Sequence, residues 1–162
     1  METTVTLARS DIFTVDHASP LAEEKRKKLF RRLVHERLYF SCRRRKDLQV
    51  DISFLSQRVK KCNQGDYAKF RHSLYYVHDT IEEMSTIGIE DIGAMRTSID
   101  ASHAVYDNMR IHTGGSFTFG ICAFSDASAK QKLNTKNSTR DKVVRVSAFL
   151  PKLLYTKQFL ES

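Results

Sequence analysis

The spacing of the hydrophobic residues changes once along the chain, and this change constrains the fold more than any other feature. Up to about residue 86, apolar side chains recur every three or four positions, which is the period of an amphipathic helix. Beyond that point, short segments alternate apolar and polar residues with period two, which is typical of strands. The pattern therefore predicts an α+β chain in which a three-helix region is followed by a sheet.

Three helices are predicted in the first part of the chain, each with one apolar stripe that packs on the others. Ser19 and Asp47 are the expected caps of the first two helices, and Gly65-Asp66 is expected to open the third. The stripes consist of Leu29, Phe30, Leu33, Val34 and Leu38, of Leu48, Ile52, Leu55 and Val59, and of Tyr67, Phe70, Leu74, Val77 and Ile81.

The second part of the chain predicts three short strands, within residues 95–99, 116–119 and 121–125, and one closing helix. Ser138 or Thr139 is the expected cap of that helix, and Pro151 is expected to kink it or end a turn. Asp107-Asn108 and Gly114-Gly115 have the composition of turns. We accordingly divide the chain into an irregular lead-in (1–20), a basic helical region (21–87) and a sheet-containing region (88–162).

Composition indicates the class of protein and its surroundings. A hydrophobic share of 41% with ten Phe favours a globular chain. Cys42, Cys62 and Cys122 are odd in number and widely spaced, so neither a zinc site nor a disulfide framework is expected. No signal peptide and no apolar run of bilayer-spanning length is present in the sequence. We expect an intracellular protein, cytoplasmic or nuclear, with no membrane partner.

Positive charge is concentrated in residues 21–61, although the whole chain carries a formal charge of +8. Fourteen Lys and Arg stand there against five Asp and Glu, a balance of +9. Clustered cations beside helices suit sequence-independent contact with phosphates. The candidate nucleic-acid-binding residues are Lys25, Arg26, Lys27, Lys28, Arg31, Arg32, Arg43, Arg44, Arg45 and Lys46. Three alternatives stay open, namely a solvated helix face, a nuclear-import address and a membrane-surface helix.

Three segments in the second part of the chain occur in an order that resembles a known family. They are IDAS at 99–102, HTGG at 112–115 and KQKLNTKNST at 130–139. The ribonuclease H region of copia-type retrotransposon polyproteins is similar, with a strand ending in VDAS, an HTG turn, and KQKLNT.SSTEAE leading into a helix. The resemblance implies that residues 88–162 form a truncated ribonuclease H-like domain, with a partial mixed sheet and one helix.

The helical part resembles the end of the same family's reverse transcriptase. The segments are LYFSCRRRKDL at 38–48, ISFLSQRV at 52–59 and FRHSLYYVHDT at 70–80, so that the resemblance extends over residues 25–162. In the family this is the polymerase thumb and connection, which holds the template–primer backbone. The family's catalytic motif, an aromatic residue followed by x-Asp-Asp, is absent from this sequence, so we expect no polymerisation by this chain.

The resemblance also assigns residues to the nuclease chemistry, in which several carboxylates hold two Mg²⁺ ions. Asp100 matches the family's first metal ligand. Lys142 replaces the family's catalytic Glu, Arg140 replaces the earlier Glu, and Asp141 is displaced by about 100° around the helix. Because Mg²⁺ prefers oxygen ligands, we expect no intact metal site and no cofactor, and Lys142 is predicted to form an ion pair with Asp100.

The sequence therefore predicts a degenerate copia-type reverse transcriptase–ribonuclease H fragment that is catalytically inactive and binds RNA·DNA hybrid or duplex backbone. The alternative is a stand-alone basic nucleic-acid-binding or interaction module without enzymatic activity. Two further hypotheses are an active nuclease that uses Asp100, Asp107 or Asp141, and a relic with no cellular role. His103 and His112 are expected to be solvated or turn residues. Truncation of the sheet also predicts self-association through an open strand edge.

Overall fold

The computed structural model describes residues 11–83, 86–102, 106, 110–131 and 138–161. The chain divides into two compact units, unit 1 (Met1–Thr86) and unit 2 (Ile87–Ser162). Unit 1 contains helices α1 (Glu24–Arg43), α2 (Gln49–Arg58) and α3 (Gln64–Asp79), with a 3-10 turn (Lys46–Leu48) before α2. Unit 2 contains strands β1 (Arg96–Ser102), β2 (His112–Thr118) and β3 (Ala123–Lys130), followed by helix α4 (Ser138–Glu161). The predicted α+β class, with helices first, is confirmed.

The core of unit 1 is formed largely by the predicted helical stripes, although Leu29 and Ile81 are exposed and Ile81 lies beyond the end of α3. Phe30 and Val34 of α1 are fully buried, as are Ile52 and Leu55 of α2. The Phe30 ring lies 5.8 Å from the Phe70 ring of α3, in an edge-to-face arrangement. Such aromatic packing adds stability beyond simple burial, so one interlocked core joins the three helices.

The described part of the lead-in, residues 11–20, is attached to this core although it has no regular structure. Ile12 is buried, and the Phe13 ring lies 5.8 Å from Phe54. Lys69 of α3 is itself buried, and its Nζ donates to the carbonyl oxygens of Ile12 and Thr14. These hydrogen bonds satisfy a buried ammonium and fix the lead-in on the helices.

The helix caps differ from the predicted ones. The N-cap position of α1 is Glu23, which makes no side-chain cap bond, so Ser19 is not its cap. Asp47 lies in the 3-10 turn before α2 and binds Arg45 instead of capping. The N-cap of α3 is Asn63, which forms a reciprocal capping box with Asp66. Asn63 can accept from the backbone N–H three residues on, whereas Gly65 offers no side-chain acceptor.

The sheet of unit 2 has the order β1-β2-β3, and the three described strands are antiparallel. The expectation of a mixed sheet is therefore corrected for this part of the chain. Antiparallel neighbours can be joined by short segments, here residues 103–111 and 119–122, whereas parallel neighbours need a long crossover. β1 and β3 form the two edges of this sheet.

Gly114 and Gly115 lie inside β2 and not in a turn, which corrects the sequence prediction. They pair with Asp100 and Ile99 of β1. A Cβ at Gly115 would lie 2.5 Å from the Phe149 ring of α4, while one at Gly114 would meet nothing within 4 Å. Gly115 therefore permits close packing of α4 on one face of the sheet. α4 continues through Pro151 to Glu161, so the proline does not end the helix.

Candidate nucleic-acid interface

On helix α1, the buried residues lie on one side and four of the basic residues lie on the opposite side. Phe30, Val34 and Ser41 are buried on one side. At 100° per residue, Lys25, Lys28, Arg32 and Arg43 lie on the opposite, exposed side. We call these four residues the α1 basic face. They extend over about 27 Å of helix at 1.5 Å per residue. This face therefore presents a row of cations to solvent, in which Glu36 between Arg32 and Arg43 is the one acidic residue.

The side chains on the α1 basic face are available for contact with an anionic partner. Arg32 Nε lies 3.8 Å from Glu36 Oε1, and both side chains are well exposed. An exposed pair of this kind contributes little stability and exchanges readily with another anion. The Arg43 guanidinium lies 5.6 Å from the ring of Tyr39, which is 69% exposed. An aromatic ring beside a guanidinium can stack on a nucleic-acid base.

The remaining predicted cations of α1 lie in other directions, because four consecutive residues surround the helix. Arg26 and Arg31 are exposed outside the row, and Lys27 is half-buried with its Nζ 3.7 Å from Glu24. Arg37, which was not among the candidates, lies beside the core. Its pKa is lowered by burial and by the charge of Arg45.

Arg45 holds unit 1 together, although the sequence analysis placed it with the phosphate contacts. Its guanidinium donates to Asp47 at 2.8 Å, to the Thr80 carbonyl oxygen at 3.1 Å and to Thr80 Oγ1 at 2.7 Å. It also lies 5.4 Å from the Tyr76 ring. The hydrogen bond with Asp47 raises the pKa of Arg45. This network ties the turn before α2 to the end of α3.

Arg44 and Lys46 occupy the connection between α1 and α2. Arg44 is exposed and Lys46 is half-buried. The Arg44 backbone N–H donates to the Phe40 carbonyl oxygen, and this bond caps the end of α1. Arg44 therefore extends the basic surface past the last turn of the helix.

Asp100 and Lys142 lie on different sides of the sheet. Asp100 pairs with Gly114, and its neighbour Ile99 pairs with Gly115. Cross-strand partners share a face and successive residues alternate. Because α4 packs over Gly115, Asp100 is on the face that α4 does not cover. The predicted ion pair between Asp100 and the α4 residue Lys142 is therefore wrong for this arrangement.

The structure describes only some of the residues that the nuclease hypotheses assign to a Mg²⁺ site. Within the part of the chain that the structure describes, no group of three or more His, Cys, Asp and Glu could hold a metal ion. Of the other nuclease candidates, Arg140 is exposed on α4, the side chain of Asp141 is not described, and Asp107 lies outside the described residues. Asp100 is thus the one of these three carboxylates whose side-chain position the structure describes.

His112 is a buried strand residue and not the solvated histidine that was expected. Its Nδ1 lies 2.6 Å from the Tyr106 hydroxyl, and its Nε2 lies 2.6 Å from Ser128 Oγ. Burial lowers the pKa of His112. The cluster occupies the same sheet face as Asp100, because Ser128 pairs with Gly114. No sequence pattern pointed to it, since the strand register alone brings the three side chains together. His103 lies outside the described residues.

Comparison with known proteins leaves the family open. No protein-family model matches the chain, and neither the curated proteins nor the solved structures contain a match. Among the described helices, none has both the length and the hydropathy that a membrane-spanning segment requires.

Proposed function

We propose that this chain binds nucleic-acid backbone through the α1 basic face, without catalysis, as a degenerate fragment of a copia-type reverse transcriptase–ribonuclease H. The observation that carries the proposal is the row formed by Lys25, Lys28, Arg32 and Arg43 on the exposed side of α1. Phosphates need only positive charge at suitable spacing, so RNA·DNA hybrid and duplex DNA are both suitable partners. Such a protein acts in the cytoplasm or nucleus.

The element order of the chain supports the copia-type part of the proposal. The family pattern has an Asp near the end of a strand, then a His-Thr-Gly turn, then a helix; the order is kept, but here His-Thr-Gly lies in β2 and not in a turn. Here Asp100 lies near the end of β1, His112 begins β2, and Ser138 begins α4. The alternative is a stand-alone basic module that evolved separately. Under that alternative the same face binds phosphate, but no preference for RNA·DNA hybrid is expected.

The number of cations on the face sets the expected salt dependence. Four phosphate contacts predict a slope of about −3.6 in a plot of log K against log salt concentration, from roughly −0.9 per contact. Fluorescence anisotropy of a labelled RNA·DNA hybrid from about 50 to 200 mM salt, with duplex DNA alongside, measures this slope. A solvated helix face with no partner gives no binding at the lowest salt concentration.

A pair of charge-reversal variants tests whether the α1 basic face is the binding surface. In Lys25→Glu/Lys28→Glu we expect the salt slope to decrease in magnitude by about 1.8, with a large loss of affinity. Lys60→Glu/Lys61→Glu is the matched control, because it makes the same charge change at exposed residues of unit 1 outside α1. Equal losses of affinity in the two variants would show that only the net charge of the protein matters, and would contradict a defined binding site on α1.

The absence of catalysis is tested separately. We expect no Mg²⁺-dependent cleavage of an RNA·DNA hybrid, because Arg140 and Lys142 stand where the resemblance places the Glu residues that a two-metal mechanism needs. Cleavage that the Asp100→Ala variant abolishes would establish an active nuclease and overturn this part of the proposal. Cleavage that the variant retains, but that is lost in Asp107→Ala or Asp141→Ala, would establish a nuclease with another ligand set and overturn this part as well.

A further inference from the structure

Unit 2 contains a cavity between α4 and the face of the sheet that α4 covers. Its volume is about 420 Å³, within the range of small-molecule sites. The walls are largely apolar, with Ala127 and Ala129 from β3 and with Val144, Ala148 and Phe149 from α4. The three alanines leave the space open, because a larger side chain at these positions would fill it.

Each charged residue among the described residues that line the cavity is a cation. These residues are Lys130, Arg145 and Lys152. The Lys130 ammonium lies 4.0 Å from the Tyr106 ring, on the sheet face that α4 does not cover, so Arg145 and Lys152 are the two described cations on the cavity side. Arg145 is only 5% exposed, so its charge acts in surroundings that screen it poorly. Lys152 Nζ donates to Ser125 Oγ at 2.5 Å and lies 5.2 Å from the Phe117 ring, which holds its ammonium group against the sheet.

Gln131 adds a polar group to the wall. Its Nε2 donates to Thr113 Oγ1 at 2.8 Å, while its buried Oε1 has no hydrogen-bond partner in the described structure. If the amide is turned by 180°, the Thr113 hydroxyl donates to Oε1 and the amide NH₂ group becomes a free donor. An acceptor on a ligand would satisfy that donor, and a carboxylate is such an acceptor.

We propose that this cavity binds an amphipathic monoanion, namely a medium-chain carboxylate. The aliphatic chain contacts Ala127, Ala148 and Phe149, and the carboxylate is held by Lys152 and Arg145. A nucleic acid does not suit the cavity, because its backbone carries many charges and the walls are apolar. The site is independent of the α1 basic face and does not depend on the nucleic-acid proposal.

The charge requirement is tested with ligands of equal chain length. Isothermal titration calorimetry of the full chain with decanoate is expected to give saturable binding with one ligand per protein. Decanol should bind at least roughly tenfold more weakly, and decylammonium should not bind measurably. Equal affinities for decanoate and decylammonium would overturn the proposal, because they indicate adsorption on exposed apolar surface.

Matched variants test the location. Ala148→Trp places an indole ring at the cavity lining and should weaken decanoate binding by at least about tenfold, while Ser147→Trp, at the neighbouring position outside the lining, should leave it unchanged. Lys152→Glu should also weaken binding, while Lys157→Glu makes the same charge change at an exposed position of α4 away from the cavity lining and should not. Circular dichroism establishes that each variant is folded. Undiminished binding in a folded Ala148→Trp or Lys152→Glu variant would overturn the proposed site.

Discussion

Unit 1 and unit 2 bury their side chains to very different extents. Unit 1 holds most of the large side chains that are fully enclosed, among them Phe30, Phe54 and Leu55, whereas the described part of unit 2 has Phe117 and Ile111. In unit 2, α4 covers one face of the sheet, while Val143, Val146 and Tyr155 on α4 itself are exposed. The helices of unit 1 therefore enclose a core by themselves, whereas the described elements of unit 2 leave several large apolar side chains exposed to solvent.

The largest expected effect comes from the core of unit 1. Phe54→Ala removes a ring that is 1% exposed and packs on Phe13. Loss of burial together with the cavity left behind should lower the free energy of unfolding by about 3–5 kcal/mol. Urea denaturation followed by circular dichroism measures the loss.

Phe159→Ala is the control for this prediction, because it makes the same chemical change on α4 at a side chain that is 69% exposed. It should change stability by no more than about 0.5 kcal/mol. Similar losses in the two variants would break the proposed contrast between a closed and an open unit.

A buried carboxyl group makes the stability of unit 1 depend on pH. Asp51 is 1% exposed, its Oδ1 has no hydrogen-bond partner in the described structure, and burial raises its pKa to about 7. The pKa in the unfolded chain is about 3.9, so the folded state binds the proton more tightly. The contribution of Asp51 is therefore fully present below about pH 4 and is lost as the pH rises through about 7.

Asp51→Asn should remove this loss, because the amide stays neutral. We expect the variant to be more stable than the unmodified chain at pH 8, by roughly 2–4 kcal/mol, and to show a flatter dependence of stability on pH. Thermal unfolding between pH 4 and pH 8 measures the difference. Glu83→Gln changes an exposed carboxyl and should leave the pH dependence as it is. A steep fall in stability that persists in Asp51→Asn would contradict this role of Asp51.

Two adjacent glycines provide a smaller test in unit 2. Gly115→Ala places a Cβ 2.5 Å from the Phe149 ring, whereas Gly114→Ala meets nothing within 4 Å. Displacement of α4 should cost about 1–3 kcal/mol in Gly115→Ala, and Gly114→Ala should be close to neutral. Thermal denaturation of the two variants compares them directly. Equal effects would contradict the packing of Phe149 on Gly115.

Periodicity predicted the helices because the residues that face the core of unit 1 come from single helices at helical spacing. Sequence patterns failed where contacts with residues far along the chain determine the position or role of a residue. Gly115 lies in a strand because it pairs with Ile99 and Ala127, and its lack of a side chain leaves space for Phe149, far along the chain. Arg45 is structural because Asp47 and Thr80 surround its guanidinium. The side of the sheet on which Asp100 lies depends on its register with Gly114, which the sequence of β1 alone does not specify.

The sequence predicted which residues belong to the candidate interface but not how they are arranged around α1. The sequence identified the cluster of cations, yet Lys25 to Lys28 surround α1, and only the position of the buried Phe30 and Val34 determines which of them form a row. The capping box of α3 could have been predicted from the sequence, because Asn63 and Asp66 have the required spacing. The Tyr106–His112–Ser128 cluster was not, because it forms only across strands.

The central claim is that nucleic-acid binding belongs to the α1 basic face of unit 1. It is tested most directly by titrating an isotope-labelled chain with an RNA·DNA hybrid and following the amide chemical shifts. The account predicts that the largest changes occur along α1 near Lys25, Lys28, Arg32 and Arg43, with little change in β1, β2 and β3. Changes concentrated in unit 2, or none at low salt concentration, would contradict it.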